Sequence, residues 1–399
     1  MKNLIIILIL NILVSSVYCQ TNDSISGKLT TELEKICSRG YINGFSVAIV
    51  NQDGILYKKG LGYADVKANK KYTENTIQSI ASISKTFIGI ALLKAQELGK
   101  LNLDDPINKH LPFNVNNPYF PNEQITIRHL ATHTSSIKVK SRNEKNGYVL
   151  MKSNNGRAKV NSNFRSPDEM MKLNVFLESI LSEEGKWYKK NSFLKTKPGA
   201  IFKYSNIASG LAALIIENAT NQPFNQFTNE HILTPLGMSN SGWSFTEIDF
   251  SKHSKLYLNK ETEFAFYQLV NYPDGGLITS STDLGTYLVE LIRGYSGTGK
   301  ILSKQSYMEL FKTQLTDTNY IERNESIYND EYNMGVFMGM SSHGQMGHTG
   351  GDPGIVTHMF FNTKTKIGKL LIINTELKKE GIKEFVDIWR KLEEYEIKL

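Results

Sequence analysis

Apolar and polar residues alternate near both ends of the chain, in the pattern typical of β-strands. GFSVAIV (44–50) is followed by NQDG and then by ILYKKGLGYAD (55–65). This order predicts a β-hairpin with an Asp-Gly turn. Near the other terminus, IVTHMFFN (355–362) and KIGKLLIINT (366–375) flank a short polar turn. These segments predict a second pair of neighbouring strands.

Between these strands the apolar residues recur at helical spacing. The predicted helices cover 84–98, 125–132, 168–181, 205–219 and 281–292, with a further helix at 382–397. Strands at both ends and helices between them predict an α+β fold in which the termini meet in one antiparallel sheet. Residues 138–165 are polar and aperiodic, which indicates a surface loop or flap. No repeat or linker divides the chain, so one domain is expected over 20–399.

The first nineteen residues have the composition of a secretory signal. One lysine precedes an apolar run from Leu4 to Leu13, and small residues stand near a cleavage point before Gln20. The sequence therefore predicts a secreted or periplasmic protein; a lipid anchor at Cys19 is the alternative. After cleavage only Cys37 remains, so no internal disulfide is expected.

The charge of the chain narrows the range of partners. The formal net charge is +7, but the lysines are scattered and form no basic block. This distribution argues against nucleic-acid binding. Residues 382–397 mix acidic and basic side chains on their polar face, which favours packing against the sheet over a membrane anchor. No second long apolar run appears, so stable membrane insertion is not expected.

Ser82 and Lys85 form the first candidate catalytic pair. They lie three residues apart at the start of a strongly apolar segment, hence on one face of a predicted interior helix. A buried lysine kept neutral there could act as the base that activates the serine. The same S-x-x-K spacing occurs at 135–138 and 192–195, but polar stretches follow both. A helix cap beside a surface lysine is the alternative interpretation.

A serine–lysine pair needs a second proton-transfer group and donors for an oxyanion. Tyr204 and Asn206 stand just ahead of another apolar helix. Tyr204 could take the proton, and Asn206 could orient the lysine or hold a substrate amide. Y-x-N also occurs at 41–43, and an aromatic core residue beside a helix N-cap is the alternative interpretation. The sequence His348-Thr349-Gly350 occurs once and precedes a strand, whose edge could pair with an extended substrate.

A metal site is the competing use of the histidines. His129 and His133 are four residues apart, as zinc ligands on a helix would be, but Leu130 stands where H-E-x-x-H has its glutamate. No metal or other cofactor is therefore expected.

The order S-x-x-K, Y-x-N, H-T-G resembles that of the serine β-lactamase and D-Ala-D-Ala peptidase superfamily, in particular its class C-related branch. SISKTFIG, ITIRHLATHTSSI (125–137) and PGAIFKYSN are similar to landmark segments of that branch, as are LGMSNSGW and YPDGGLITSSTDL. The resemblance covers roughly residues 40–375. It implies a β-lactamase/transpeptidase-like fold, with an antiparallel sheet, flanking helices and a helical lobe. The sheet would come from about 40–80 and 330–399, and the lobe from about 85–325.

The resemblance also implies a role for each candidate residue. Ser82 would be the acylated nucleophile, Lys85 its base partner and Tyr204 the second proton-transfer group. Asn206 would contact the substrate and the lysine. His348, Thr349 and Gly350 would occupy the place of the lactamase Lys-Thr-Gly, with the oxyanion N–H at Gly351 opposite that of Ser82.

Two departures from the β-lactamase pattern affect the expected activity. His348 replaces a permanent cation with a group that titrates near neutrality, which within the family is typical of D-Ala-D-Ala peptidases, D-aminopeptidases and esterases. Ser136-Ile137 replaces Ser-Gly-Leu and concerns only the local turn. The sequence thus predicts an exported serine hydrolase acting on a small peptide, ester or cell-wall-type substrate. A true β-lactamase and a non-catalytic sensor module remain alternatives.

Overall fold

The computed structural model describes residues 24–138, 144–151, 160, 164–320, 333–341 and 344–399. The predicted signal segment and most of the loop predicted at 138–165 lie outside these residues. Within the described ranges, no helix is both long enough and apolar enough to cross a bilayer.

The strands and helices follow the order that the sequence pattern predicts, with additions. The strands are β1 (Gly44–Val50), β2 (Ile55–Asp65), β3 (Lys70–Lys71), β4 (Ile77–Ser79), β5 (Tyr148–Leu150), β6 (Leu256–Tyr257), β7 (Glu263–Phe264), β8 (Tyr267–Leu269), β9 (Ile278–Ser280), β10 (Asn333–Met334), β11 (Gly339–Ser341), β12 (Gln345–Asp352), β13 (Ile355–Asn362) and β14 (Gly368–Ile373). The α-helices are α1 (24–37), α2 (Ser84–Glu97), α3 (Ile127–Ala131), α4 (Leu173–Leu181), α5 (Asn206–Thr220), α6 (Phe224–Thr228), α7 (Ser281–Tyr295), α8 (Lys304–Leu310) and α9 (Lys379–Tyr395).

The termini meet in one eight-stranded antiparallel sheet, as predicted. Its strand order is β10-β11-β12-β13-β14-β1-β2-β3, so the first strand pairs with the last. In the β1–β2 hairpin, Asn51 Oδ1 accepts from the N–H groups of Asp53 and Gly54 and thereby closes the turn. These two side-chain bonds explain why an asparagine, Asn51, suits the start of the turn.

The core lies on both faces of this sheet. On one face, α1 and α9 pack their apolar stripes against β1 and β14, with Ile388 and Leu392 of α9 fully buried. The predicted packing of the terminal helix is therefore confirmed. On the other face, α7 packs on the sheet, and α2 runs through the interior against α5. The buried surface of α2 extends around almost the whole helix, as its apolar sequence predicts.

A short two-stranded ladder holds the start of α2 in place. Strands β4 and β9 pair antiparallel, and the Ile80 N–H donates to the Leu277 carbonyl at 2.9 Å just beyond the ladder. Ser84 Oγ accepts from the Leu277 N–H at 3.2 Å. Both bonds tie the turn before α2 to the segment that precedes β9.

Candidate active site

Ser82 lies in a tight turn at the head of α2. Residues Ala81–Ile83 form a single 3₁₀ turn that leads directly into the helix. Ala81 has a φ of +47°, in the left-handed region that a residue with a side chain seldom adopts. Such strain persists only where the surroundings fix it, here through the β4–β9 ladder. The turn thus presents Ser82 at a fixed place.

Lys85 contacts Ser82 directly. Its Nζ donates to Ser82 Oγ at 3.0 Å and to the main-chain carbonyl of Asp274 at 2.7 Å. The lysine has no exposed surface. In one of the other two S-x-x-K pairs, Ser192 is buried but Lys195 is exposed. The Nζ of Lys195 lies 5.7 Å from the centre of the Tyr119 ring. Among these pairs, Ser82 and Lys85 are the one set at an interior helix.

The expectation that Lys85 is neutral is wrong for the protein without substrate. Burial acts to lower the pKa of Lys85, but nearby Tyr204 and Asp274 outweigh it and raise this pKa above its ordinary value. Lys85 is therefore an ammonium group at neutral pH. In that form it donates a hydrogen bond to Ser82 and stabilises a negative charge that lies or develops beside it.

Tyr204 lies beside this lysine at the start of α5. Lys85 Nζ is 5.2 Å from the centre of the Tyr204 ring. The Tyr204 hydroxyl is buried and has no hydrogen-bond partner in the described part of the chain. Asn206 begins α5, directly after the N-cap Ser205, and its side-chain oxygen is likewise buried without such a partner. Buried polar atoms normally have partners, so both atoms are available to a ligand.

His133 holds the Tyr204 segment in place, a role that sequence reasoning missed. Its carbonyl accepts from the Lys203 N–H at 2.7 Å, and its Nδ1 accepts from the Ser205 N–H at 3.3 Å. These two bonds bracket Tyr204 along the chain, while the His133 and Tyr204 ring centres lie 4.4 Å apart. The histidine is 1% exposed, and burial lowers its pKa well below the ordinary value, so the ring is neutral. The similarity of ATHTSSI to a family segment was the available signal.

His348, Thr349, Gly350 and Gly351 lie within β12, not ahead of a strand as predicted. Strand β12 pairs with β13 along its length, but the register with β11 ends at Gly347. From His348 onward, no described strand covers the second edge, so an edge for an extended ligand is present. Successive residues point to opposite faces, so His348 and Gly350 share one face.

Gly350 lets this strand approach the nucleophile turn. A Cβ at position 350 would lie 2.2 Å from Thr357 Oγ1 and 2.4 Å from the Ile80 carbonyl oxygen. Thr357 Oγ1 also donates to that carbonyl at 2.8 Å. At Gly351, by contrast, a Cβ would meet nothing within 4 Å. The face at Gly350 is closed by the turn, and the face at Gly351 is open.

The expectation that His348 titrates near neutrality is also wrong for the free protein. Burial, assisted by the positive charge of Lys85, lowers the pKa of His348 to about 4. Its Nδ1 lies 2.5 Å from the Thr349 carbonyl, to which it donates in the neutral tautomer. Nε2 is then left as an acceptor. His348 therefore carries no charge at neutral pH.

Carboxyl groups adjoin the site, and sequence reasoning missed them. Asp352 Oδ1 accepts from the Tyr148 hydroxyl at 2.6 Å, and Asp274 Oδ2 accepts from Asn271 Nδ2 at 2.5 Å. Burial raises the pKa of Asp274 to about 7 and that of Asp352 to about 6. Burial also raises the pKa of Glu144. The sequence signals were Asp274, which lies within the landmark segment YPDGGLITSSTDL, and Asp352, which lies two residues after Gly350.

No group of three or more metal-ligating side chains is arranged around a common point in the described residues. His129 has a structural role instead: Thr126 Oγ1 and His129 Nδ1 exchange bonds with each other's main-chain N–H groups and cap α3. His133 holds the Tyr204 segment.

Comparison with known proteins identifies the family. The beta-lactamase family model matches residues 29–390, and the chain belongs to this family of serine hydrolases. Protein flp of Staphylococcus aureus (strain MW2) is 33% identical over 269 residues, which are 66% of this chain and 48% of that protein. The chain thus spans about half the length of this curated relative.

Solved structures confirm the β-lactamase/transpeptidase-like fold. D-amino acid amidase from Ochrobactrum anthropi SV3 superposes with a TM-score of 0.66 at 19% identity, over 92% of this chain and 99% of that one. The beta-lactamase/D-alanine carboxypeptidase from Pseudomonas syringae gives a TM-score of 0.64 at 16% identity, again over 92% and 99%. At these identities the likeness establishes the fold alone.

Proposed function

We propose that the chain is an exported serine hydrolase that forms an acyl-enzyme on Ser82 and cleaves small amides, peptides or esters. The observation that carries the proposal is the 3.0 Å bond from Lys85 Nζ to Ser82 Oγ at the head of a buried helix. The names of the fold neighbours, an amidase and a D-alanine carboxypeptidase, agree with amide or peptide cleavage.

In the proposed acylation, Ser82 Oγ attacks the substrate carbonyl carbon and gives up its proton. The proton goes to the coupled Lys85–Tyr204 pair, in the form of the pair that has given up one proton. The pair then delivers the proton to the leaving nitrogen or oxygen as the C–N or C–O bond breaks. In deacylation, water attacks the ester carbon, its proton passes to the pair, and Ser82 recovers a proton.

Strand β12 supports the part of this mechanism that binds the oxyanion and the substrate. The N–H groups of Ser82 and Gly351 would hold the oxyanion, and the open face at Gly351 leaves room for the substrate. His348 and Thr349 would line the edge along which the substrate extends. Asn206, whose side-chain oxygen is buried without a partner among the described residues, would accept a hydrogen bond from an N–H of the substrate.

Labelling with a fluorophosphonate and mapping of the modified peptide by mass spectrometry test this proposal. We expect the label on Ser82 and its loss in Ser82→Ala. Ser192→Ala is the matched control, because Ser192 belongs to an S-x-x-K pair whose lysine is exposed. Equal labelling of Ser82→Ala would refute the assignment, and turnover of a chromogenic cephalosporin would indicate a β-lactamase instead.

A further inference from the structure

We propose that Asn271 is a positioning residue for the proton-transfer pair of Lys85 and Tyr204. Its role rests on the proposed hydrolase function and consists in fixing the spacing of that pair. Asn271 acts on the two groups through the main chain of Asn206 and through Asp274.

The Asn271 side chain joins the two segments that carry the pair. Its Nδ2 donates to the main-chain carbonyl of Asn206 at 3.0 Å and to Asp274 Oδ2 at 2.5 Å. Asn206 is the first residue of α5, two positions after Tyr204. Asp274 accepts from Lys85 Nζ through its main-chain carbonyl at 2.7 Å. One amide group therefore links the start of α5 to the turn that holds the lysine.

The partners of Asn271 require an amide whose nitrogen points towards them. The Asn206 carbonyl and an ionised Asp274 carboxylate can only accept hydrogen bonds, so the reversed amide would set Oδ1 against two acceptors. An aspartate at 271 would place a second carboxyl group beside Asp274. A leucine has a similar size and suits a position that is 6% exposed, but it would donate nothing.

The oxygen of the same amide argues against a role in stability alone. Asn271 Oδ1 is buried and has no partner among the described residues. It lies against Gly210 of α5, where a Cβ would be only 1.6 Å from Oδ1. A buried acceptor without a donor costs free energy, so its presence calls for another reason. Glycine at 210 leaves the room that lets the amide bridge α5 and the Asp274 turn.

Asn271 also influences the charges beside the nucleophile. Burial raises the pKa of Asp274 to about 7, and the bond from Asn271 acts to lower it. Asp274 in turn raises the pKa of Lys85. Loss of the Nδ2 donor would therefore raise the pKa of Asp274 and lower that of Lys85. The other titratable groups that act on these two are Tyr204, Asp352 and Glu144.

The first test is Asn271→Leu, which keeps the approximate size of the side chain and removes both donated bonds. We expect kcat for a p-nitrophenyl ester to fall about 10-fold or more, with KM changed less than about 3-fold, because the proton-transfer groups lose their fixed spacing. In protein with carbon-13 at the lysine Cε atoms, NMR titration should show a lower pKa for Lys85 than in the wild type. Lys85→Met assigns the signal.

The second test approaches the same contact from α5, with Asn271 itself retained. In Gly210→Ala the new Cβ overlaps Asn271 Oδ1, so the amide is displaced and kcat should fall as in Asn271→Leu. In the double variant Gly210→Ala, Asn271→Ala, the shorter side chain leaves room for that Cβ. The double variant should therefore be about as active as Asn271→Ala alone. Gly285→Ala in α7, whose Cβ would meet the end of the Ile55 side chain, is the control and should keep its kcat.

Three results would overturn the role of Asn271. They are wild-type kcat in Asn271→Leu, losses that multiply in the double variant, and a lower melting temperature with an unchanged Lys85 pKa, which would make Asn271 purely structural. Failure of the hydrolase function would be seen separately, because fluorophosphonate labelling would then persist in Ser82→Ala whatever the effect of Asn271→Leu.

Discussion

The site has a helix side, at the start of α2, and a strand side, in β12, and each side contributes one basic residue. The pKa values of these two residues are shifted in opposite directions. Lys85 of α2 is surrounded by Tyr204, Asp274 and Asp352, which raise its pKa despite complete burial. His348 of β12 faces Lys85, which together with burial lowers its pKa. Burial disfavours the charged form of both groups, so the neighbours decide the outcome. At neutral pH, the positive charge is on the helix side, and the strand side is neutral.

The largest expected effect is loss of the charge on the helix side. Lys85→Met removes the ammonium that contacts Ser82 and leaves Asp274 and Asp352 without the nearest positive charge. We expect kcat to fall at least about 1000-fold, in the range for loss of a proton-transfer group together with its electrostatic support. The assay is hydrolysis of a p-nitrophenyl ester. Lys94→Met, at an exposed ion pair later in α2, is the control.

Activity of Lys85→Met within about 10-fold of the wild type would contradict the proposed role of this lysine. Lys85→Arg sharpens the result, because arginine keeps the charge but cannot lose a proton. Partial activity in Lys85→Arg would show that the charge matters more than proton transfer through the lysine itself.

The contact between the two sides is tested by adding one methyl group. Gly350→Ala places a Cβ against Thr357 Oγ1 and the Ile80 carbonyl, so the strand must move away from Ser82. A displacement of about 1 Å costs on the order of 100-fold in turnover. Gly351→Ala adds the same group into open space and should keep the fold and the melting temperature.

The two glycine variants are compared by kcat and by thermal unfolding. If Gly350→Ala retains full activity, the tight approach of β12 to the nucleophile turn is not required for catalysis. A loss of activity in Gly351→Ala with an unchanged melting temperature would place the substrate over position 351.

The contrast between the two sides also shows what a sequence can reveal. The hairpin, the terminal strands and α2 follow from periodicity, because apolar spacing depends only on which face is buried. The charge states of Lys85 and His348 could not be predicted, since they depend on groups more than 100 residues away in the chain, such as Asp274. Strands β4 and β9 were missed because each has only three residues and gains its stability from its partner.

A smaller effect is expected at His133, which supports the helix side from behind. His133→Asn keeps a group able to accept from the Ser205 N–H but removes the ring packed on Tyr204. We expect kcat to fall about 10-fold, with KM changed less, because Tyr204 loses its fixed position. His129→Asn is the control, as it alters a helix cap outside the site. A change in melting temperature without a change in kcat would make His133 purely structural.

The smallest effect, and the sharpest test of the comparison, is the pH response of the strand side. With a pKa of about 4, His348 stays neutral from about pH 5 upward, so it should add no limb to the profile of an uncharged ester between pH 5 and 8. Acidification through pH 4 should protonate it, place a second cation beside Lys85 and lower activity. His348→Gln should lack only this acidic limb.

The measurement is kcat/KM against pH for a p-nitrophenyl ester and for a D-Ala-D-Ala peptide, in wild type, His348→Gln and His348→Lys. A carboxylate held by His348 would raise its pKa, so peptide activity would then fall as pH rises through about 6.5, and His348→Lys would abolish that fall. That result would mean that the strand side becomes charged when substrate binds, and it would favour a carboxylate-bearing peptide as the substrate.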